Sequence, residues 1–335
     1  MTFIESLLWP LTLPYGAIVH LRARAYRTGF LRQRRLDGIV ISVGNLTTGG
    51  TGKTPMVLWI AQRLLAEGKS TGILTRGYRG EGNAANSTSD EVRLLQARLG
   101  ERVAFGVGAD RFTRGGELVK RGVEWLILDD GFQHLQLARD VDVVLIDATN
   151  PFGGGHLLPA GRLREPQSAL SRADVVVITR SDHAPAVEAA IRRDSDAPIF
   201  YARPHLESIR AFRGEYPGTE DTQVHSRKLF AFSGIGNPTG LGADLREWGF
   251  QIVGFKIFPD HHRYTLEDVR AIESEARAVG ADAVICTEKD VFNLSGVQWG
   301  GIDLYYCRIS LHVAYEDEFW RTVLAAAESR GQRTK

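Results

Sequence analysis

Gly49-Gly50-Thr51-Gly52-Lys53-Thr54 follows the apolar run Ile39–Val43 and precedes a helical pattern. Glycines in such a turn let backbone N–H groups converge on phosphate oxygens, and the helix start adds positive potential. Lys53 would reach the β- and γ-phosphates of a nucleotide, and the Thr54 hydroxyl would ligate Mg²⁺. The whole cradle runs from Thr47 and Thr48 through Gly49, Gly50, Thr51, Gly52 and Lys53 to Thr54, with Thr47 where the usual pattern has its first glycine. A metal site also needs an acid at the end of a neighbouring strand. Trp125-Leu126-Ile127-Leu128-Asp129-Asp130 supplies two: one carboxylate to hold Mg²⁺, the other to orient or accept a proton.

Nucleotide binding alone transfers nothing, because an acceptor hydroxyl needs a group to take its proton. Polar clusters that offer such groups are Thr75-Arg76-Gly77-Tyr78, Ser89-Asp90-Glu91, Gln133-His134, the loop carrying Arg164 and Glu165, and Asp260-His261-His262. Asp90 also suits a plain helix N-cap. A zinc site at His261-His262 would want further N or S ligands, and no cysteine accompanies the pair.

Composition bounds the rest. Cys286 and Cys307 are the only thiols, which excludes a disulfide scaffold or a Cys-rich zinc module. A net charge of +1 argues against a nucleic-acid partner. That charge is a cancellation: six arginines against Glu5 make residues 1–36 net +5, so the remainder sums to −4. The apolar stretch before these arginines is interrupted by Glu5, Pro10 and Pro14, too often for a spanning helix, and its charge follows it where a secretory signal would place charge first. Residues 1–36 are therefore expected to be an amphipathic basic segment that docks on a lipid surface. The competing reading is a helix packed on the core with a solvated basic face. Nothing in the sequence calls for an obligate protein partner.

The elements that must position these residues are runs dense in Val, Ile and Leu: 39–43, 71–75, 103–105, 125–129, 143–147, 175–179 and 199–202, with helical patterns between them. Such runs without alternation mark strands buried on both faces, and strand–helix alternation marks a parallel sheet. The fold class is α/β: a P-loop NTPase-type parallel-sheet domain with a second, smaller α/β domain joined by a β linker. Expected boundaries are 1–36 for the docking segment, 37–205 for the P-loop core, 206–227 for the linker and 228–335 for the smaller domain. The last helix is allowed to pack back on the core.

Taken together, the motifs resemble the tetraacyldisaccharide 4′-kinase (lipid A 4′-kinase) family. The resemblance is carried, in order, by residues 42–46, 49–54, 75–78, 89–91, 129–134, 157–166, 258–262 and 287–290. It implies ATP- and Mg²⁺-dependent phosphorylation of the 4′-hydroxyl of an acylated glucosamine disaccharide 1-phosphate at the cytoplasmic face of the bacterial inner membrane. It also implies that Asp90 is the general base with His261 or His262 as helper, and that Lys53 and Asp130 act in transfer. Thr54, Asp129 or Asp130, and Glu165 would form the metal shell, and Arg76, Tyr78, His134 and Arg164 would surround phosphates or sugar. The alternative is a P-loop switch or assembly ATPase acting on a protein partner, which explains the loop but gives Asp90 and His261 no role.

Overall fold

A computed structural model describes residues 3–77, 89–294 and 296–332. In chain order, α1 (Phe3–Arg27) leads to β1 (Ile39–Asn45), α2 (Lys53–Ala66), β2 (Thr71–Thr75), α3 (Asp90–Leu99), β3 (Ala104–Val107), α4 (Arg111–Val119), β4 (Trp125–Asp129), β5 (Val141–Asp147), β6 (Val175–Thr179), α5 (Pro185–Ile191) and β7 (Ile199–Phe212). Then come β8 (Thr219–Glu220), β9 (Lys228–Ser233), α6 (Pro238–Glu247), β10 (Gln251–Ile257), α7 (Leu266–Ala278), β11 (Ala283–Thr287), α8 (Glu288–Asn293), β12 (Leu304–Val313) and α9 (Glu316–Gln332). The chain divides into two compact units. The first comprises Met1–Ser87, Arg98–Arg203 and Leu311–Lys335; the second comprises Thr88–Ala97 and Pro204–Ser310.

In the first unit the strands run in the order β7-β6-β5-β1-β4-β2-β3, parallel throughout. Val40, Ile41 and Val43 of β1 are buried, as a strand covered on both faces requires. β1 lies between β4 and β5, so the strand order reverses there, and ligands of open α/β sheets bind at such a switch point beyond the strands' carboxyl ends. The register Val43↔Asp129 brings the loop after β1 and the acids after β4 out side by side. α9 belongs to this unit, with the Phe319 ring 5.3 Å from those of both Trp59 and Phe200. α1 is one helix despite Pro10 and Pro14. Its Tyr15 hydroxyl donates to the Arg164 carbonyl (2.9 Å), and Gly16 comes close to the Leu157 side chain. Trp9, Leu11, Leu13, Ile18 and Leu21 face outward and exposed.

The second unit orders its strands β10-β9-β11-β12, parallel, with β7 beyond β12. One apolar layer gathers Phe232, Val269, Ile272 and Tyr306; another gathers Leu229, Leu241, Leu245 and Cys307. The stretch 206–227, expected as a linker, is built into this unit instead. β7 continues to Phe212, Ile209 is buried, Val224 is fully buried, and the Tyr216 ring stacks on Tyr306. Its charges and glycines hide the reason: Ile209 and Ala211 face one apolar layer while Phe212 faces the other, the two-residue period of a strand. The compositional boundaries therefore differ from the compact units, since the start of α3 sorts with the second unit and the chain after Ser310 with the first.

Candidate active site

In the first unit, the loop between β1 and α2 is pinned on one side by residues 162–164. The Arg164 amide donates to the Leu46 carbonyl (2.7 Å), Thr47 bridges Leu163, and the Thr48 amide donates to the Arg162 carbonyl (2.8 Å). The Thr48 amide thus goes to holding the loop, and Thr47, expected with it among the nucleotide contacts, lies opposite Leu163. Gly49 and Gly52 adopt positive φ (121° and 91°), the left-handed region that suits glycine, and Gly52 caps α2. Gly50 and Thr54 lie within the same loop-to-helix turn. Asn45 braces it from below. Its amide nitrogen donates to the Thr51 hydroxyl (2.9 Å), and its carbonyl accepts from Lys53 Nζ (3.2 Å). The Thr179 hydroxyl donates to the Thr51 carbonyl (3.1 Å). β1 can sit against the 131–133 turn only because residue 44 is glycine: a Cβ there would lie 2.6 Å from that of Phe132.

The two acids after β4 differ in setting. Asp129 is buried, with the Thr75 hydroxyl donating to Oδ2 (3.3 Å). Asp130 takes a left-handed conformation (φ 50°) and faces Lys53 Nζ at 3.5 Å and Arg164, whose guanidinium reaches both carboxylate oxygens at 2.7 and 2.9 Å. Burial would raise the Asp130 pKa, but Lys53 and Arg164 outweigh it and hold the carboxyl below its ordinary value. Arg164, expected to meet substrate, is here the partner of Asp130. Glu165, expected in the metal shell, is buried and paired with Arg172 at 2.6 Å. His134 Nδ1 lies 3.4 Å from Arg111, and burial followed by the charges of Arg111, Arg139 and Arg22 pushes its pKa down to about 4. It is therefore neutral near pH 7. Arg111 was not read from the sequence as a site residue. It is buried at the start of α4, and its charge feels Asp130, Arg76 and Asp129. Arg76 is exposed after β2, and Tyr78 lies outside the described residues.

The second unit holds a separate constellation. Asp90 is the first residue of α3, is buried, and accepts the Glu91 amide (2.9 Å), while the helix is capped by Ser89, whose hydroxyl accepts the Val92 amide (3.3 Å). Its oxygens also lie 3.0 and 3.1 Å from His261 Nδ1, while Asn293 donates to Oδ2 (3.0 Å) and Lys289 Nζ stands 3.7 Å away. Burial opposes ionisation, but the His261 hydrogen bond, the Lys289 charge and the Asn293 hydrogen bond bring the Asp90 pKa down to about 2. The same hydrogen bond raises His261, against burial and Lys289. The sequence left two histidines open. His261 faces Asp90, whereas His262 turns to Asp268 (3.0 Å), which also accepts the Thr265 amide at the start of α7. Lys289 and Asn293, one helical turn apart on α8, were not read as site residues. The Thr287–Asp290 capping box that starts α8 was the available signal.

A phosphate cradle with its cation and acids, and an ionised buried carboxylate held by an imidazole, are the parts a phosphotransferase to a hydroxyl requires. Known proteins match this chain along most of its length. The family model described as tetraacyldisaccharide-1-P 4′-kinase (LpxK) matches residues 4–328. A tetraacyldisaccharide 4′-kinase of Geobacter metallireducens is 41% identical over 315 residues, covering 88% of this chain and 90% of its own. One of Desulfotalea psychrophila is 38% identical over 312 residues, covering 86% and 88%. The crystal structure of LpxK from Aquifex aeolicus in complex with ATP superposes with a TM-score of 0.73 at 28% identity, covering 97% of this chain and 99% of that one. The chain belongs to the tetraacyldisaccharide-1-phosphate 4′-kinase family.

Proposed function

We propose that this kinase of lipid A biosynthesis moves the γ-phosphoryl of ATP to the 4′-hydroxyl of a tetraacylated glucosamine disaccharide 1-phosphate, with Asp90 accepting the hydroxyl proton. The observation that carries the reading is the Asp90 arrangement. A buried carboxylate kept ionised against an imidazole is a proton acceptor that a nucleotide-hydrolysing switch has no use for.

The chain's own groups divide the work. Backbone N–H groups from Gly49 to Thr54 and the start of α2 hold the phosphates, with Lys53 as their cation. The Thr54 hydroxyl and the Asp129 carboxylate are hard oxygen donors at the ends of adjacent elements, a donor set that fits Mg²⁺. Bound there, the ion would neutralise charge on the transferring phosphates. Asp130, bound to Lys53 and Arg164, keeps those two cations aligned. In this reading neutral His134 and the cations Arg76 and Arg111 serve phosphate or sugar oxygens.

A proton taken by Asp90 finds its better home on His261, because the carboxyl lies at about 2 and the imidazole above its ordinary 6.5. The pair can accept only when His261 starts neutral. As pH falls through the raised imidazole pKa the pair fills, so kcat should drop on an acid limb lying above pH 6.5. A pH–kcat profile at saturating substrate measures this, and a limb below 6.5 contradicts the assignment.

The acceptor is a lipid, and α1 offers a means to reach a membrane. Leu13, Ile18 and Leu21 are 63%, 66% and 64% exposed, and Arg24 and Arg27 are exposed in the last turn. No helix among the described residues is long and apolar enough to cross a membrane. An interfacial role on the cytoplasmic leaflet of the inner membrane accounts for an outward apolar face followed by arginines. Changing Leu13, Ile18 and Leu21 together to Glu should weaken cosedimentation with anionic vesicles by about tenfold or more while leaving thermal unfolding unchanged. Undiminished vesicle binding would remove this role.

Labelled γ-phosphate tests the whole reading. Recovery of label in an organic-soluble disaccharide lipid supports it, and release only as inorganic phosphate favours the switch ATPase.

A further inference from the structure

The Asp90–His261 pair does not stand on its own backbone alone. The six-residue helix α8 contacts Asp90 directly and reaches His261 through Gly234. On one side of α8, Asn293 donates to Asp90 Oδ2 at 3.0 Å, and Lys289 Nζ lies 3.7 Å from Asp90, 3.4 Å from Glu91 and 3.6 Å from Asp260. Between these two residues in sequence, Asp290 is fully buried and accepts from the Ser233 hydroxyl (3.0 Å), the Gly234 amide (2.8 Å) and the Tyr264 hydroxyl (2.8 Å). The Gly234 carbonyl in turn accepts the His261 amide at 2.9 Å. That bond helps hold His261 in a left-handed conformation (φ 60°), which a non-glycine residue keeps only when its surroundings demand it.

We infer that α8 carries the positioning residues of the proton-accepting pair: Lys289 supplies the fixed positive charge against which the pair binds its proton, and Asn293 sets the direction of the Asp90 carboxylate. The inference rests on the reading of Asp90 and His261 given above.

The charges around the pair make the argument. Asp260, from the loop after β10, stands 3.8 Å from His261 Nε2, and Glu91 of α3 and Asp290 of α8 add negative charge nearby. Lys289 is the cation set among these carboxylates. Burial would lower its pKa, but Glu91, Asp90, Asp260 and Asp290 together raise it to about 12, so its charge is permanent. That permanent charge works against protonation of His261 and favours ionised Asp90. Without it, the carboxylates of Asp90 and Asp260 would act on the imidazole unopposed by that charge, and the pair would hold its proton to higher pH. The base would then be already occupied near neutrality. A merely structural lysine would do something else: its loss would lower the rate by a common factor at every pH.

The test is the pH profile of kcat for K289M and K289R beside the wild type, with KM for ATP measured in parallel. In K289M the acid limb should move up by about one unit, the lower end of the shift an ion within about 4–6 Å produces. That means about tenfold lost activity below the limb, recovered above it, with KM for ATP unchanged. K289R, which keeps the charge, should return the limb towards its wild-type position. Folded K289M with an unmoved limb overturns the inference, whether its rate is normal or uniformly lowered. Should K289M fail to fold, N293D serves. It places a carboxylate where an amide donates to Asp90, and the limb must again rise; an unmoved limb overturns the inference equally. D90N separates the two levels. Wild-type turnover by D90N would remove the proton-acceptor reading itself, whereas inactive D90N beside an unshifted K289M removes only the role of α8.

Discussion

Asp90→Asn is expected to lower kcat by about 10²–10⁴-fold while leaving nucleotide affinity unchanged, the loss typical of a missing general base. Asparagine keeps the shape and can still meet His261 and Asn293, but it takes no proton. The alternative is that Asp90 only braces the start of α3, where its carboxylate accepts the Glu91 amide beside the Ser89 cap. An asparagine side-chain oxygen can accept the same amide, so a purely structural role predicts near-wild-type turnover. Stability must be followed alongside. The Asp90 pKa is about 2 in the fold against an ordinary 3.8, so its ionised pairing stabilises the protein above the ordinary value and is lost as pH falls towards 2. Thermal unfolding at pH 7 would therefore show some loss in D90N. A variant folded at assay temperature with wild-type kcat would sink the assignment.

Lys53→Ala is the second large effect. Its ammonium sits between Asn45 Oδ1 (3.2 Å) and Asp130 (3.5 Å), held ready at the start of α2. Removing a preorganised cation from a site where phosphate charge develops is expected to cost about 10²–10³ in kcat, with weaker ATP binding in addition. Asp130 would keep Arg164, so the loss should not be structural collapse. Lys53→Arg should rescue poorly, because a planar guanidinium does not replace a compact ammonium at this spacing. Turnover by K53A within about tenfold of wild type would mean that the loop does not act as a phosphate cradle.

Much of the first unit was legible because its rules are local. The runs at 39–43, 71–75, 125–129 and 175–179 are strands, since a strand buried on both faces must be apolar throughout. The loop at 49–54 showed itself because positive φ calls for glycine and a phosphate cradle calls for a cation at the helix start. Other contacts were not legible, because tertiary geometry decides them. Residues 206–227 carry the charges and glycines of a linker, yet β7 runs through them to Phe212, and Ile209 and Val224 are buried. Thr47 and Thr48 stand in the cradle by spacing, but residues 162–164, more than a hundred positions away, take the Leu46 carbonyl and the Thr48 amide. Glu165 was grouped with the metal ligands by its place in a motif; its carboxylate meets Arg172.

The sequence by itself determined the α/β class and the family, and it displayed a glycine-rich loop before a helix and two adjacent acids at the end of β4. These depend on residue type and short spacing, which the chain displays directly. Only the tertiary structure decided which of two adjacent histidines faces Asp90, that Asp130 rather than Asp129 takes Lys53 and Arg164, and that Lys289 and Asn293 brace the carboxylate. The contacts of Asp90 join residues 171 to 203 positions apart. No periodicity encodes such a contact, and a side chain's partner is set by where the folded backbone aims it.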